Sequence, residues 1–140
     1  TIKNPTTGKN ETVTVVKPSK PSSNTTNGKA VLSREALTYV NQVRAEKGRA
    51  PIKWASEFEW LALERAKQIS TDFSHNNSGA DRGISGVAEN IAQMNSSNTA
   101  KAAVNAWKNS PMHNASMISS DNTGVVVARY GNYWVAIFTY

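Results

Sequence analysis

The sequence predicts an α+β fold, on three observations. Two segments with apolar residues at helical spacing are followed by a third, all three precede a pair of strand-like runs, and Gly131-Asn132 joins those runs as a two-residue hairpin turn. Helices first and an antiparallel hairpin last do not alternate as a parallel α/β sheet requires.

The first helix follows Val31. Ser33 reads as its N-cap, Ala36, Leu37, Val40 and Val43 share one apolar face, and Gly48 supplies the stop. After Pro51 the box Ser56-Glu57-Phe58-Glu59 opens a second helix, in which Phe58, Leu61, Ala62, Ala66 and Ile69 recur at helical spacing. Residues 73–88 carry Gly79, Gly83 and Gly86 with little periodicity, and read as a long loop or a loop with a short strand; loops of that length in compact domains are commonly functional. The third helix begins near Asn98, with Ala100, Ala103, Val104 and Trp107 on one side, and Pro111 ends it. Residues 125–130 and 133–139 are the strands of the closing hairpin.

Residues 1–30 differ from everything after them. They hold three of the five prolines, ten Ser/Thr and no aromatic residue, a composition that cannot bury much apolar surface. Residues 17–29 read as a semi-extended spacer, and Thr12-Val13-Thr14-Val15 as part of a solvated tail, with a single strand as the alternative. The division expected is therefore a linker over 1–30 and a folded domain over 31–140. The chain opens on Thr1 with no signal peptide, which reads as a piece of a longer protein.

With 140 residues and 39% apolar content, one core is expected. The longest apolar stretch, residues 133–138, is far too short to cross a bilayer. Zero cysteine excludes a disulfide framework, a thiol nucleophile and every zinc site that uses cysteine. The net charge of +6 is concentrated where there is no core: Lys3, Lys9, Lys17, Lys20 and Lys29 face only Glu11 in the spacer, leaving +2 for the domain. No nucleic-acid partner is expected on that distribution. The basic residues Arg34, Arg44, Lys47, Arg49 and Lys53 are interleaved with Glu35 and Glu46 and read as a solvated face.

Three residues stand out for chemistry. His75 and His113 are the two histidines of the chain, and each is expected in a loop directly after a helix, where the pair would line one cleft. Glu89 sits among apolar neighbours in Gly86-Val87-Ala88-Glu89-Asn90-Ile91-Ala92, where a carboxylate needs a partner. Backbone N–H groups of the glycine-rich loop, an imidazolium or a metal would each serve. Ser74, Ser110 and Ser116 lie near the histidines, but the chain contains neither a GxSxG elbow nor a phosphate loop.

Taken in order, these pieces resemble the CAP superfamily of cysteine-rich secretory, antigen-five and pathogenesis-related proteins. The resemblance rests on Leu37-x-x-Val40-Asn41-x-x-Arg44, Pro51-x-x-Trp54, Phe58-x-x-x-Ala62-x-x-x-Ala66, Phe73-Ser74-His75, Glu89-Asn90-Ile91-Ala92, Ala103-x-x-Ala106-Trp107, Ser110-Pro111-x-His113 and Tyr133-Trp134-Val135-x-x-Phe138. Asn109 to His113 and the absence of cysteine place it with the bacterial branch. The resemblance implies a three-layer α-β-α sandwich around a small antiparallel sheet, acting as a monomer in an extracellular or cell-wall setting. It also implies a cleft of two histidines and two glutamates that in some members takes a divalent metal such as zinc. By position His75, His113 and Glu89 match three of the four, as metal ligands or acid–base groups. Ser110 stands where the second glutamate is expected, and Ala88 where a glycine usually precedes the first.

The function expected is a secreted or cell-surface module binding a cell-wall glycan, peptide or lipid through this cleft. The alternative is a hydrolase of cell-wall or peptide substrates, in which His75, Glu89 and His113 hold zinc or act as general acid and base.

Overall fold

Four helices on the two faces of a small sheet follow from a sequence that alternates buried positions with the period of each element. The structure, a computed structural model, describes residues 2–3 and 29–140. The elements in chain order are β1 (Ile2–Lys3), β2 (Val31–Leu32), α1 (Glu35–Glu46), β3 (Lys53–Trp54), α2 (Glu59–Thr71), β4 (Val87–Met94), α3 (Ala100–Lys108), α4 (Pro111–Met117), β5 (Gly124–Tyr130) and β6 (Tyr133–Thr139). A 3-10 turn, Ser56–Phe58, leads into α2. The readings for residues 12–15 and for most of the spacer fall outside the described residues.

The sheet runs β1-β4-β6-β5-β2, antiparallel at each step, and β3 adds a short parallel pairing to β5. Its centre is the predicted hairpin, which turns at Gly131 with φ +61° while Tyr130 pairs with Tyr133. Positive φ at the first of two turn residues is the type II′ geometry that follows the twist of the strands. Successive residues of a strand face opposite ways. On β5 and β6, Val125, Val127, Trp134, Ala136 and Phe138 pack toward α1, α3 and α4, whereas Val126, Ala128, Val135 and Ile137 pack toward α2. Two cores, one on each face, make the three layers of an α-β-α sandwich. Trp107 of α3 is fully buried in the first, and its indole donates to the Ile91 carbonyl of β4 at 3.2 Å. Among the described residues no helix is long and apolar enough to cross a membrane.

Several local expectations change. Ser33 does not cap α1: Arg34 holds the N-cap position and no side chain accepts a capping bond. Nor does the predicted box cap α2; Ser56 lies in the 3-10 turn, and the Glu59 carboxylate instead accepts from the Trp54 indole at 2.7 Å. The stop of α1 is as read, with Gly48 at φ +73° and bonds from Gly48 N to Ala45 O and from Arg49 N to Arg44 O that form a Schellman motif. Residues 87–94 form a full strand, buried on both faces, rather than continuing the loop. Pro111 ends α3 but also opens α4 at its first turn, where its missing N–H costs no bond, so His113 lies on a helix and not in a loop.

Arg44 also departs from the solvated face assigned to it. It is buried, and its guanidinium donates to the carbonyls of Ala50, Met117 and Ser119 at 2.8, 2.8 and 2.9 Å. That cluster of carbonyls ties the end of α1 to the end of α4.

Candidate functional site

The site forms where α2, its following loop, β4 and α4 meet at one border of the sheet. Two neighbouring residues of β4 serve the two faces. Glu89 points toward α2, and Asn90 points the other way, donating from Nδ2 to the backbone carbonyl of His113 at 3.1 Å. Among the described residues, the outer side of β4 is paired by β1 only at Gln93 and Met94, so residues 87–92 border the site.

Glu89 is 3% exposed, and what compensates it is Arg65 of α2, which is 0% exposed. Arg65 Nε donates to Glu89 Oε1 at 2.7 Å and Nη2 to Oε2 at 2.8 Å, a bidentate pair. The other guanidinium hydrogens go to Gln68 Oε1 and to the carbonyls of Ser74 and Asn76, at 2.9, 2.8 and 2.8 Å. A buried arginine that meets a carboxylate and three further acceptors satisfies the condition under which such a pair is tolerable. The carboxylate is therefore held by side chains, not by backbone N–H groups of the glycine-rich loop.

The two carbonyls that Arg65 grips flank His75. The third bond to Glu89 comes from His75 itself, whose Nδ1 lies 2.8 Å from Oε2. An ionised carboxylate only accepts, so Nδ1 carries the hydrogen that Glu89 receives. That Nε2 is buried without a partner. The loop reaches this geometry through a bond from Ser74 N to Asp72 O and a left-handed residue, Asn77, at φ +69°. Gly79 presses so closely on Leu61 and Val87 that a Cβ there would meet their methyls at 3.0 and 2.9 Å.

His113 approaches from the other face on α4. It is 3% exposed, its Nδ1 is 2.7 Å from Ser110 Oγ, and its Nε2 is likewise buried with no partner. Burial, and then repulsion from His75, push its pKa down to about 4, so the ring is neutral at neutral pH.

Of the three residues singled out by sequence, His75 and Glu89 are in direct contact, and His113 makes no hydrogen bond to either among the described residues. Ser110 meets His113, while Ser74 contributes its backbone carbonyl to the Arg65 clamp. Ser116 does neither; its carbonyl accepts from Asn122 Nδ2 at 2.7 Å. Arg65 is the residue the sequence reading passed over. Its signal was present, because a charge on the Leu61, Ala62, Ala66, Ile69 stripe has to find a buried partner.

The donor set bears on a metal as follows. Both oxygens of Glu89 are taken by Arg65 and His75, and Ser110 offers a hydroxyl in place of a second carboxylate. Among the described residues no three His, Asp or Glu side chains form a group that could hold an ion. The two Nε2 atoms are the imidazole nitrogens left without a partner among the described residues, and Glu89 fixes the His75 ring at its Nδ1.

Comparison with known proteins agrees with the architecture. A solved extracellular protein containing an SCP domain from Bacillus anthracis str. Ames superposes with TM-score 0.67 at 24% identity, over 76% of this chain and 39% of that one. A cysteine-rich secretory protein from Staphylococcus aureus subsp. aureus Mu50 superposes with TM-score 0.62 at 20% identity, over 76% and 37%. The chain thus spans well under half the length of either. No curated protein sequence matches it significantly. The family described as CAP, the cysteine-rich secretory protein family, matches residues 37–140, and with the sandwich of three layers in place this chain belongs to that family.

Proposed function

We propose that this domain is an extracellular or cell-surface binding module whose cleft engages its ligand through the Nε2 atoms of His75 and His113. The observation that carries this reading is the matched state of the two rings. Each is fixed at Nδ1 by a side-chain partner, and each has a buried Nε2 with no partner among the described residues. A buried polar atom left without a partner costs free energy, and a ligand that supplies the partner recovers it. The secretory character of the solved relatives supports the location, and a cell-wall glycan, peptide or lipid is the class of ligand proposed.

A divalent metal such as zinc fits the same two atoms. His75 and His113 would hold it, with Glu89 and Ser110 fixing the rings from behind. Such an ion, when bound, would supply a Lewis acid at the mouth of the cleft. Two neutral imidazoles without a carboxylate ligand make an incomplete shell, so the affinity expected is weak. The bidentate pairing of Glu89 with Arg65 favours binding over acid–base hydrolysis, because neither carboxylate oxygen is free to take a substrate proton.

The test is calorimetric titration of the purified chain with zinc. One weak site is expected, lost in both His75→Ala and His113→Ala; binding that persists unchanged in either variant contradicts the reading.

A further inference from the structure

A second group of buried N–H donors without acceptors lies on the outer part of α2, built from none of the residues that form the cleft. Trp60, in the first turn of α2, is 7% exposed, and its indole Nε1–H has no partner. Arg82, in the loop that connects α2 to β4, lies against it, with Cζ 5.8 Å from the centroid of the Trp60 ring. Its Nη1 donates to Glu64 Oε2 at 3.0 Å, whereas its Nε and Nη2 are buried and unpartnered.

Nε and Nη2 form one edge of a guanidinium, two parallel donors spaced for the two oxygens of a planar acid. The same protein shows that edge satisfied: Arg65 uses its own Nε and Nη2 to hold both oxygens of Glu89. In Arg82 the equivalent edge is vacant although the side chain is firmly held. Glu64 Oε2, which receives Nη1, also accepts from Gln68 Nε2 at 3.0 Å, and Gln68 Oε1 accepts from Arg65 Nη1 at 2.9 Å. Arg82 is thereby anchored through a continuous polar chain to the most buried ion pair in the domain. A separation of 5.8 Å lies at the far end of cation–π contact, so the indole face is a poor substitute for an acceptor.

We propose that the Nε/Nη2 edge of Arg82 and the indole N–H of Trp60 form a subsite for a free carboxylate, of the kind borne by the C-terminal end of a peptide. The guanidinium edge receives both oxygens, and the indole adds a third hydrogen bond to one of them. A phosphate would share the charge but not the planar match.

The experiment is a titration of the 15N-labelled chain with N-acetylalanine, followed through the Trp60 indole and Arg82 Nε–H resonances. N-acetylalaninamide and inorganic phosphate are titrated in parallel. The result expected is a saturable downfield shift of both resonances with the acid and none with the amide. Trp60→Phe, which removes the N–H and keeps an aromatic ring, is expected to weaken binding about tenfold or more, the worth of one hydrogen bond to a charged group, and Arg82→Gln to abolish it. Should Arg82→Gln fail to fold, Trp60→Phe decides the matter alone. Equal responses to acid and amide, no saturation with the acid, or undiminished binding in Trp60→Phe would each overturn the proposal. Saturable binding of phosphate without any response to N-acetylalanine would overturn the assignment to a carboxylate.

Discussion

Replacing Arg65 by methionine removes the guanidinium and keeps a side chain of similar length. The structure then leaves the Glu89 carboxylate, 3% exposed, with His75 as its remaining partner, and frees the carbonyls of Ser74 and Asn76. Breaking a buried ion pair by removing one member costs about 3–5 kcal/mol, because the surviving charge stays out of water without compensation. Against a typical domain stability of about 5–15 kcal/mol that is a large share, so the variant should be measured near 10 °C in urea beside the parent. Arg65→Lys retains the charge but not the two parallel bonds, and should lose an intermediate amount. The decisive comparison is the cycle with Glu89→Leu. With both charges gone no ion is stranded, and the double variant should lose at least about 2 kcal/mol less than the two single losses combined. A loss under about 1 kcal/mol for Arg65→Met, or additivity within about 0.5 kcal/mol, would refute the assignment of Arg65 as the compensating partner.

Three further outcomes are expected. The folded pKa of His113, about 4, lies below its unfolded value of 6.5, so protonation favours the unfolded chain. The stability associated with neutral His113 is intact above pH 6.5 and declines as pH falls toward 4, by at most about 3 kcal/mol at 1.36 kcal/mol per unit. Urea midpoints of the parent and His113→Gln across that window should show the variant losing less; parallel acid limbs would contradict the shift. Arg44→Met strands the carbonyl of Ala50 after α1 and those of Met117 and Ser119 at the end of the helix that carries His113. It should cost about 2–4 kcal/mol in the same assay, and a change below about 0.5 kcal/mol would show those bonds to be dispensable. Ser110→Glu restores the carboxylate that the resemblance leads one to expect beside His113, and should tighten zinc binding by about tenfold or more in calorimetry. Unchanged affinity would mean that the carboxylate does not act on His113.

What the sequence made legible follows from how locally each feature is specified. The α1 and α2 stripes and the Gly131-Asn132 hairpin are written within a few residues and appear where expected. β4 was missed because it is buried on both faces, which erases the alternation that marks a half-buried strand, and because Glu89 and Asn90 interrupt its apolar run. The fourth helix was hidden by Pro111, a residue that stops one helix and starts another with equal ease. Ser33 and Ser56 failed as caps because neither occupies the N-cap position once the chain enters the helix through a turn. His75, His113 and Glu89 were singled out by residue type and position, but their contacts are set across the fold. The Arg65–Glu89 pair spans 24 positions, and the loss of charge on His113 arises from burial against elements distant in the chain.

The central claim is that His75 and His113 are each fixed at Nδ1, with their Nε2 atoms available to a ligand. It is tested most directly by the imidazole 15N chemical shifts at pH 7, recorded with and without zinc. The account predicts a hydrogen on His75 Nδ1, His113 uncharged, and large zinc-induced changes at both Nε2 positions with small ones at Nδ1. A His75 ring carrying its hydrogen on Nε2, or an Nε2 of either histidine that zinc leaves unmoved, would contradict it.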